Sequence, residues 1–132
     1  MRTEFENAVT AGDVLALEAL LNAGAGLDSR DRHGQTALML AARHGHLVAV
    51  QALLRRGANP DATAKFGLSA LMLSIVAGHD AVAQALVRAG ANLEIRGTGA
   101  PGFWNKTAYD LARERNMTAL CAEIAQARQG RS

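Results

Sequence analysis

Several residue types are scarce in this chain of 132 residues, and each scarcity excludes a class of protein or limits how the core can be built. The one cysteine, Cys121, excludes an internal disulfide framework and favours a reducing, cytoplasmic compartment. Aromatic residues make up only 4% of the sequence, so small and aliphatic side chains must supply the core. No apolar stretch approaches the roughly 18 residues of a membrane-spanning helix. The first residues also lack the apolar region of a secretory signal.

The motifs of common catalytic sites are missing as well. There is no glycine-rich phosphate loop, no GxGxxG after a strand, no HExxH and no G-x-S-x-G elbow. Acidic residues are scattered singly, and none forms an evident acid–base pair. The sequence therefore predicts a protein that is not an enzyme and that uses no cofactor or metal.

The charge of the chain is small and mixed, with 14 basic and 12 acidic residues and a net charge of +2. Arginine outnumbers lysine by 12 to 2, a bias that favours a GC-rich bacterial genome. No basic cluster or aromatic stacking platform accompanies the arginines, so nucleic-acid binding is only a minor alternative.

The dominant feature is an internal repeat with a period of 33 residues. Residues 34–39, GQTALM, return as residues 67–72, GLSALM. Single glycines repeat at the same spacing: Gly12, Gly45 and Gly78. A fixed period of this length indicates stacked supersecondary units, because one unit cannot bury its own apolar face.

The sequence of each unit predicts two helices followed by a loop. In residues 31–63, the Thr36 hydroxyl can cap a first helix, which Gly45 ends in a left-handed conformation. A second helix is predicted from about Leu47 to Arg55, with its apolar residues on one stripe. The following Asn-Pro-Asp-Ala segment is too turn-prone for helix and predicts an extended arm toward the next unit.

A short helix, a tight turn, a longer helix and a protruding loop in every unit resemble the ankyrin repeat. The resemblance is carried by residues 34–42 (GQTALMLAA), 45–46 (GH) and 53–58 (LLRRGA). The Thr-Pro-Leu-His tetrapeptide of that family appears as TALM at 36–39 and as SALM at 69–72. The resemblance implies an all-α solenoid of about four helix-turn-helix units with protruding β-hairpin-like loops.

The resemblance divides the chain into one domain, residues 1–128, and a frayed tail, residues 129–132. The units span about 3–30, 31–63, 64–96 and 102–128, with an insertion at 97–101 that predicts an enlarged loop tip. Thr3 and Glu6 fit a capping box at the first helix. Asn116 stands at the turn-glycine position of unit four and tolerates the same conformation. More polar end units are typical of solenoid termini and favour a complete domain.

The resemblance also implies a partner-binding surface, formed by the loop tips and the exposed ends of the first helices. The candidate partner-binding residues are Arg32, His33, Gln35, Arg43, His44, Lys65, Phe66, Leu68, Val76, Phe103, Trp104, Lys106 and Arg115. In this set unit two is polar and basic, whereas unit three is largely apolar.

The aromatic residues allow two interpretations. An exposed Phe66, Leu68 and Val76 patch beside Trp104, ringed by Arg and Lys, has the composition of an interface hot spot. A partner would then insert an apolar group there and place carboxylates against the basic side chains. Alternatively, the insertion at 97–101 folds back and buries Trp104 and Phe66 against each other.

Histidines and the cysteine are assigned structural roles. His46 and His79 share one repeat position, where a histidine commonly caps locally in the ankyrin family. His44 lies two residues before His46, which predicts that their rings point to different sides of a helix end. His33 and His44 lack a third ligand, so no zinc site is expected. Cys121 falls on a helix stripe, which predicts buried, inert packing.

The sequence as a whole predicts a non-catalytic, cytoplasmic protein–protein interaction module that is monomeric. One alternative is a dedicated inhibitor or immunity protein, or an assembly and stability factor, for a single enzyme or toxin. Another is homodimerisation through the patch formed by Phe66 and Trp104.

Overall fold

Helices account for most of the fold in the computed structural model, which describes residues 1–99 and 101–131. Within these residues, eight α-helices form four consecutive pairs: α1 (Thr3–Ala11) and α2 (Val14–Asn22), α3 (Ala37–His44) and α4 (Leu47–Arg55), α5 (Ala70–Val76) and α6 (Asp80–Arg88), α7 (Ala108–Glu114) and α8 (Thr118–Arg131). The second helix of unit two begins and ends at the residues that the sequence predicts.

The pairs stack so that the first helices form one row and the second helices form another. Helix α3 packs between α1 and α5, α5 also contacts α7, and the second helices follow the same order. One hydrophobic core runs through all four pairs, and its largest fully buried side chains include Phe5, Leu38, Leu71 and Leu111. Each pair thus covers the apolar face of its neighbour, which confirms the predicted all-α repeat solenoid.

Side-chain caps begin three of the first helices. The hydroxyls of Thr36, Ser69 and Thr107 accept hydrogen bonds from the backbone N–H groups three residues later, each at 3.3 Å. The bonds at Thr36 and Ser69 are buried, so they also satisfy donors that water cannot reach. The cap predicted for Thr36 is therefore confirmed.

The capping box predicted at Thr3 and Glu6 is wrong. Thr3 is the first residue of α1 itself, and the capping position is held by Arg2, which makes no side-chain capping bond. A capping box is instead formed at α7, where the Asp110 carboxylate accepts the Thr107 backbone N–H at 2.9 Å. Asn116 has φ of 57°, which confirms the left-handed conformation expected of it.

Histidines at the second-helix starts connect neighbouring units rather than capping their own helices, so the predicted local role is wrong. Nε2 of His46 lies 2.8 Å from the carbonyl oxygen of Thr10, and Nε2 of His79 lies 3.1 Å from that of Arg43. The two carbonyls belong to the last turns of α1 and α3. Each histidine thus satisfies a helix-end carbonyl of the preceding unit.

The loops that lead into units two and three are narrow, hairpin-like turns closed by single β-bridges, Arg30 with Thr36 and Thr63 with Ser69.

At the C-terminal end of the described chain, α8 continues through residues 129–131, where the sequence predicts a frayed tail; Ser132 lies outside the described residues. Arg131 donates to the carbonyl oxygens of Ala91 at 2.7 Å and Val87 at 2.9 Å. These bonds tie the last turn of α8 to the end of α6.

Candidate partner-binding groove

A groove of about 640 Å³ lies between the loops and first helices of units two and three. Its lining residues are Arg32, His33, Gln35, Arg43, Ala64, Lys65, Phe66, Leu68, Leu73, Val76 and Phe103. Nine of the thirteen candidate residues are therefore brought together in one place. The other four, His44, Trp104, Lys106 and Arg115, lie outside it.

The wall from unit two is a loop that is held by one carboxylate. Asp31 Oδ1 accepts the backbone N–H groups of His33 at 2.9 Å and of Gln35 at 2.8 Å. Such an Asx turn fixes the loop locally, and it leaves Arg32 and His33 exposed at the tip. Arg43, exposed in the last turn of α3, completes this wall.

The opposite wall is formed by two aromatic rings, one from unit three and one from the start of unit four. Phe66 and Phe103 are half-buried, and their ring centroids lie 5.7 Å apart at an angle of 37°. Phe66 has a positive φ of 64°, unusual for a bulky residue. Its carbonyl oxygen accepts the backbone N–H of Thr98 at 2.7 Å, which holds this conformation from the insertion side.

The insertion folds back on the protein instead of projecting as a simple loop tip. The N–H of Gly97 donates to the carbonyl oxygen of Lys106, and the carbonyl oxygen of Gly97 accepts from Asn105, both at 2.9 Å. A Cβ atom at Gly97 would lie only 2.2 Å from the carbonyl oxygen of Phe103, so the close approach requires glycine. The insertion therefore supports the aromatic wall; Ala100, within it, lies outside the described residues.

The floor of the groove is aliphatic, formed by Leu68, Leu73 and Val76. Leu68 is only 4% exposed, so its expected place in an exposed patch is wrong. The N–H of Ala64 bonds to the Leu68 carbonyl oxygen and closes the loop, with the Leu68 side chain packed in the core. Sequence reasoning missed Leu73, although its spacing of three residues from Val76 on α5 could have revealed it.

Trp104 remains 63% exposed, so the alternative in which it is buried against Phe66 is wrong. Phe103, the residue before Trp104, is half-buried and takes that place on Phe66. The insertion does cover an aromatic side chain, as one interpretation expected, but Trp104 is not the residue that packs there.

A family model for ankyrin repeats in three copies matches residues 5–97. The chain belongs to the ankyrin repeat family. A comparison with curated proteins finds no match. The matched segment ends at the insertion, and α7 and α8 then continue the stacking of the ankyrin units against α5 and α6. Ankyrin repeats are protein–protein interaction modules and are generally non-catalytic.

The basic side chains of the ankyrin groove have no acidic partners. Among the described residues, Arg32, Arg43 and Lys65 take part in no ion pair, and no carboxylate lines the groove. The Lys65 ammonium lies 5.0 Å from the centre of the Phe66 ring. By contrast, the candidate Lys106 pairs with Glu114 at 2.5 Å, so its charge is already compensated.

The remaining candidate residues of the ankyrin domain have structural partners. His44 stacks on His46 with centroids 5.9 Å apart and planes 11° apart, so the predicted divergence of the two rings is wrong. Arg115 donates to the Leu111 carbonyl oxygen at 3.2 Å and lies 3.8 Å from Glu114.

Cys121 is half-buried rather than buried. Burial nevertheless raises the pKa of its thiol, which lowers the fraction of reactive thiolate.

In the part of the chain that the structure describes, no group of histidine, cysteine and acidic residues could hold a metal ion. None of the described helices has the length and apolar character needed to span a membrane.

Proposed function

We propose that this ankyrin repeat protein is a non-catalytic interaction module that binds a protein partner in the groove between units two and three. The observation that carries the proposal is the combination of an aliphatic floor with three unpaired basic side chains in one groove. Apolar contact area surrounded by arginine is the usual composition of an energetic hot spot.

Two other depressions on the surface differ from this groove in the ion pairing of their charged side chains, which supports the groove as the binding site. The one between residues 92–94 and the end of α8 is lined by Glu94 and Arg128, which pair with each other at 2.9 Å. A third, smaller one contains the pair formed by Lys106 and Glu114. In both, a cation is already paired with a glutamate of the same chain, and only one further arginine, Arg131 or Arg113, lines each depression without an ion pair. A charged partner would therefore have to compete with an existing pair there.

The lining of the groove also supports a non-catalytic role. It contains no serine, no cysteine and no pair of carboxylates. His33 is the one histidine among the lining residues, and none of the other lining residues offers it a nucleophile to activate. Binding therefore accounts for the groove without a chemical step.

Capture of partners from a lysate of the source organism tests the proposal. The wild type is compared with Arg32→Glu/Arg43→Glu, which reverses two groove charges, and with Arg55→Glu/Arg113→Glu, which reverses two exposed arginines elsewhere. We expect the same protein to be retained by the wild type and the control pair and lost with the groove pair. Equal retention by all three would refute the groove as the binding site.

A further inference from the structure

We infer that the groove takes an extended acidic polypeptide segment with one apolar side chain among its carboxylates, and that the wall formed by Phe66 and Phe103 selects that side chain. The inference rests on the proposed function and adds the chemistry of the partner. It follows from the distribution of charge, from the shape of the floor and from the support of the wall.

The convergence of unpaired cations distinguishes this groove. Elsewhere on the protein, Arg56, Arg88, Arg128 and Lys106 each lie within 4.0 Å of a glutamate of the same chain. Other arginines also take part in no ion pair among the described residues, but each of three other depressions is lined by at most one of them. The three groove cations, Arg32, Arg43 and Lys65, have no such partner among the described residues and converge on one depression. Complementary carboxylates on a partner would compensate them, which gives specificity and speeds association.

The apolar part of the groove lies among these cations. Leu73 and Val76 on α5 are half-buried and offer aliphatic contact area at the bottom. An apolar side chain of the partner that enters there removes both surfaces from water, while flanking carboxylates stay at the rim. The ligand is therefore a segment in which acidic residues flank one apolar residue.

The aromatic wall is fixed before any partner arrives. The Thr98 N–H bond holds the Phe66 backbone, and the Phe103 ring packs on the Phe66 ring. A Cβ atom built at Gly99 would already lie 3.2 Å from Cδ1 of Phe66, so the insertion encloses this ring closely. A preformed wall lowers the entropy lost on binding and lets the insertion set the size of the side chain that is accepted.

A polypeptide fits these features better than a nucleic acid does. The rings of Phe66 and Phe103 pack on each other at an angle of 37°, and the Lys65 ammonium lies 5.0 Å from the centre of the Phe66 ring, whereas single-stranded nucleic acids stack their bases on open aromatic faces. The exposed aromatic side chain, Trp104, lies outside the groove. The floor is aliphatic, which suits an apolar side chain rather than a base.

The probe is a displayed library of random peptides of about 12 residues, a length that spans a groove of this kind in extended form. Peptides enriched on the wild-type protein are synthesised, and their affinities are measured by fluorescence anisotropy. Three variants are compared: Arg32→Ala/Arg43→Ala/Lys65→Ala removes the groove charge, Val76→Lys fills the floor, and Arg2→Ala/Arg55→Ala/Arg113→Ala is the matched control. Thermal unfolding verifies that each variant is folded.

We expect a consensus with at least two acidic residues flanking one leucine, isoleucine or phenylalanine. Affinity should fall about tenfold or more with the charge variant and with Val76→Lys, and less than about twofold with the control. It should also weaken when salt rises from about 50 to about 500 mM, because rim charges are screened.

Different failures separate the inference from the function on which it rests. Peptides that are lost with Val76→Lys but carry no acidic enrichment would overturn the inference and leave the groove as a binding site. Peptides that are unaffected by both groove variants, or no enriched peptide at all, would overturn both. Tighter, groove-dependent binding of a single-stranded oligothymidine of about 12 nucleotides would overturn the choice of a polypeptide.

Discussion

The ring of His79 closes over the backbone of Gly45, two residues that belong to neighbouring units. A Cβ atom at Gly45 would lie 2.6 Å from Nδ1 of His79, while Nε2 of the same ring lies 3.1 Å from the Arg43 carbonyl oxygen. Gly12 and His46 repeat the relationship one unit earlier, with a closest distance of 2.8 Å. The turn glycine is therefore required both by its own conformation and by the histidine of the next unit.

Gly45→Ala is expected to destabilise the protein more than Gly78→Ala does. Both glycines have positive φ, 75° and 81°, but a Cβ at Gly78 would meet nothing within 4 Å. Strain alone costs about 1–2 kcal/mol at either position, and the clash with His79 adds about 1–3 kcal/mol at Gly45. Urea unfolding of the two variants measures the difference, and equal losses would contradict the contact between units.

Removing the imidazole ring of His79 should relieve its clash with a side chain at position 45. In a His79→Ala background, Gly45→Ala is expected to cost about as much as Gly78→Ala, so that the two substitutions show a coupling energy of about 1–2 kcal/mol. His79→Ala alone should cost about 1 kcal/mol, because the Arg43 carbonyl loses its partner at a site that water can reach. A double-mutant cycle by urea unfolding gives the coupling, and strict additivity would count against it.

Trp104→Ala and Phe103→Ala should differ in stability although they are adjacent. Trp104 is 63% exposed, so its truncation should change the free energy of unfolding by less than about 0.5 kcal/mol. Phe103→Ala removes the ring that packs on Phe66 and should cost about 1–2 kcal/mol. Melting curves of both variants measure the difference, and a larger loss for Trp104→Ala would contradict the assignment of Phe103 as the ring that packs on Phe66.

The last turn of α8 is expected to contribute to stability. Arg131→Ala removes two hydrogen bonds to the carbonyls of Val87 and Ala91 and should cost about 1–3 kcal/mol. Arg128→Ala is the matched control, since it breaks one exposed ion pair with Glu94 and should cost less than about 1 kcal/mol. If both variants unfold at the same denaturant concentration, Arg131 does not hold the helix end as described.

Features of the fold that depend on nearby residues could be predicted from the sequence. The Thr36 cap and the left-handed Asn116 are set by residues within one turn, and the repeat of 33 residues reports the stacking directly. Contacts between units were harder to predict, because nothing local indicates that His79 reaches the unit before it. The histidine bonds to Thr10 and Arg43 were missed for this reason.

Only part of the lining of the candidate groove could be predicted from the sequence. Its basic residues and Val76 follow from the positions of the loop tips and helix ends. The pairing of Phe66 with Phe103 instead of Trp104 depends on the path of the insertion, which no repeat constrains. Leu68 was misplaced because the closure of its loop, through the bond between Ala64 N–H and the Leu68 carbonyl oxygen, turns a tip residue into a core residue.

Site-specific photo-crosslinking tests the central claim, that the groove binds a protein partner, most directly. A photoreactive phenylalanine analogue replaces Val76 in the groove or, as a control, Val48, which is 59% exposed on α4 outside it. After irradiation in cells of the source organism, we predict one covalent adduct of defined mass from position 76 and none from position 48. An adduct from position 48 alone, or the same adduct from both positions, would contradict the claim.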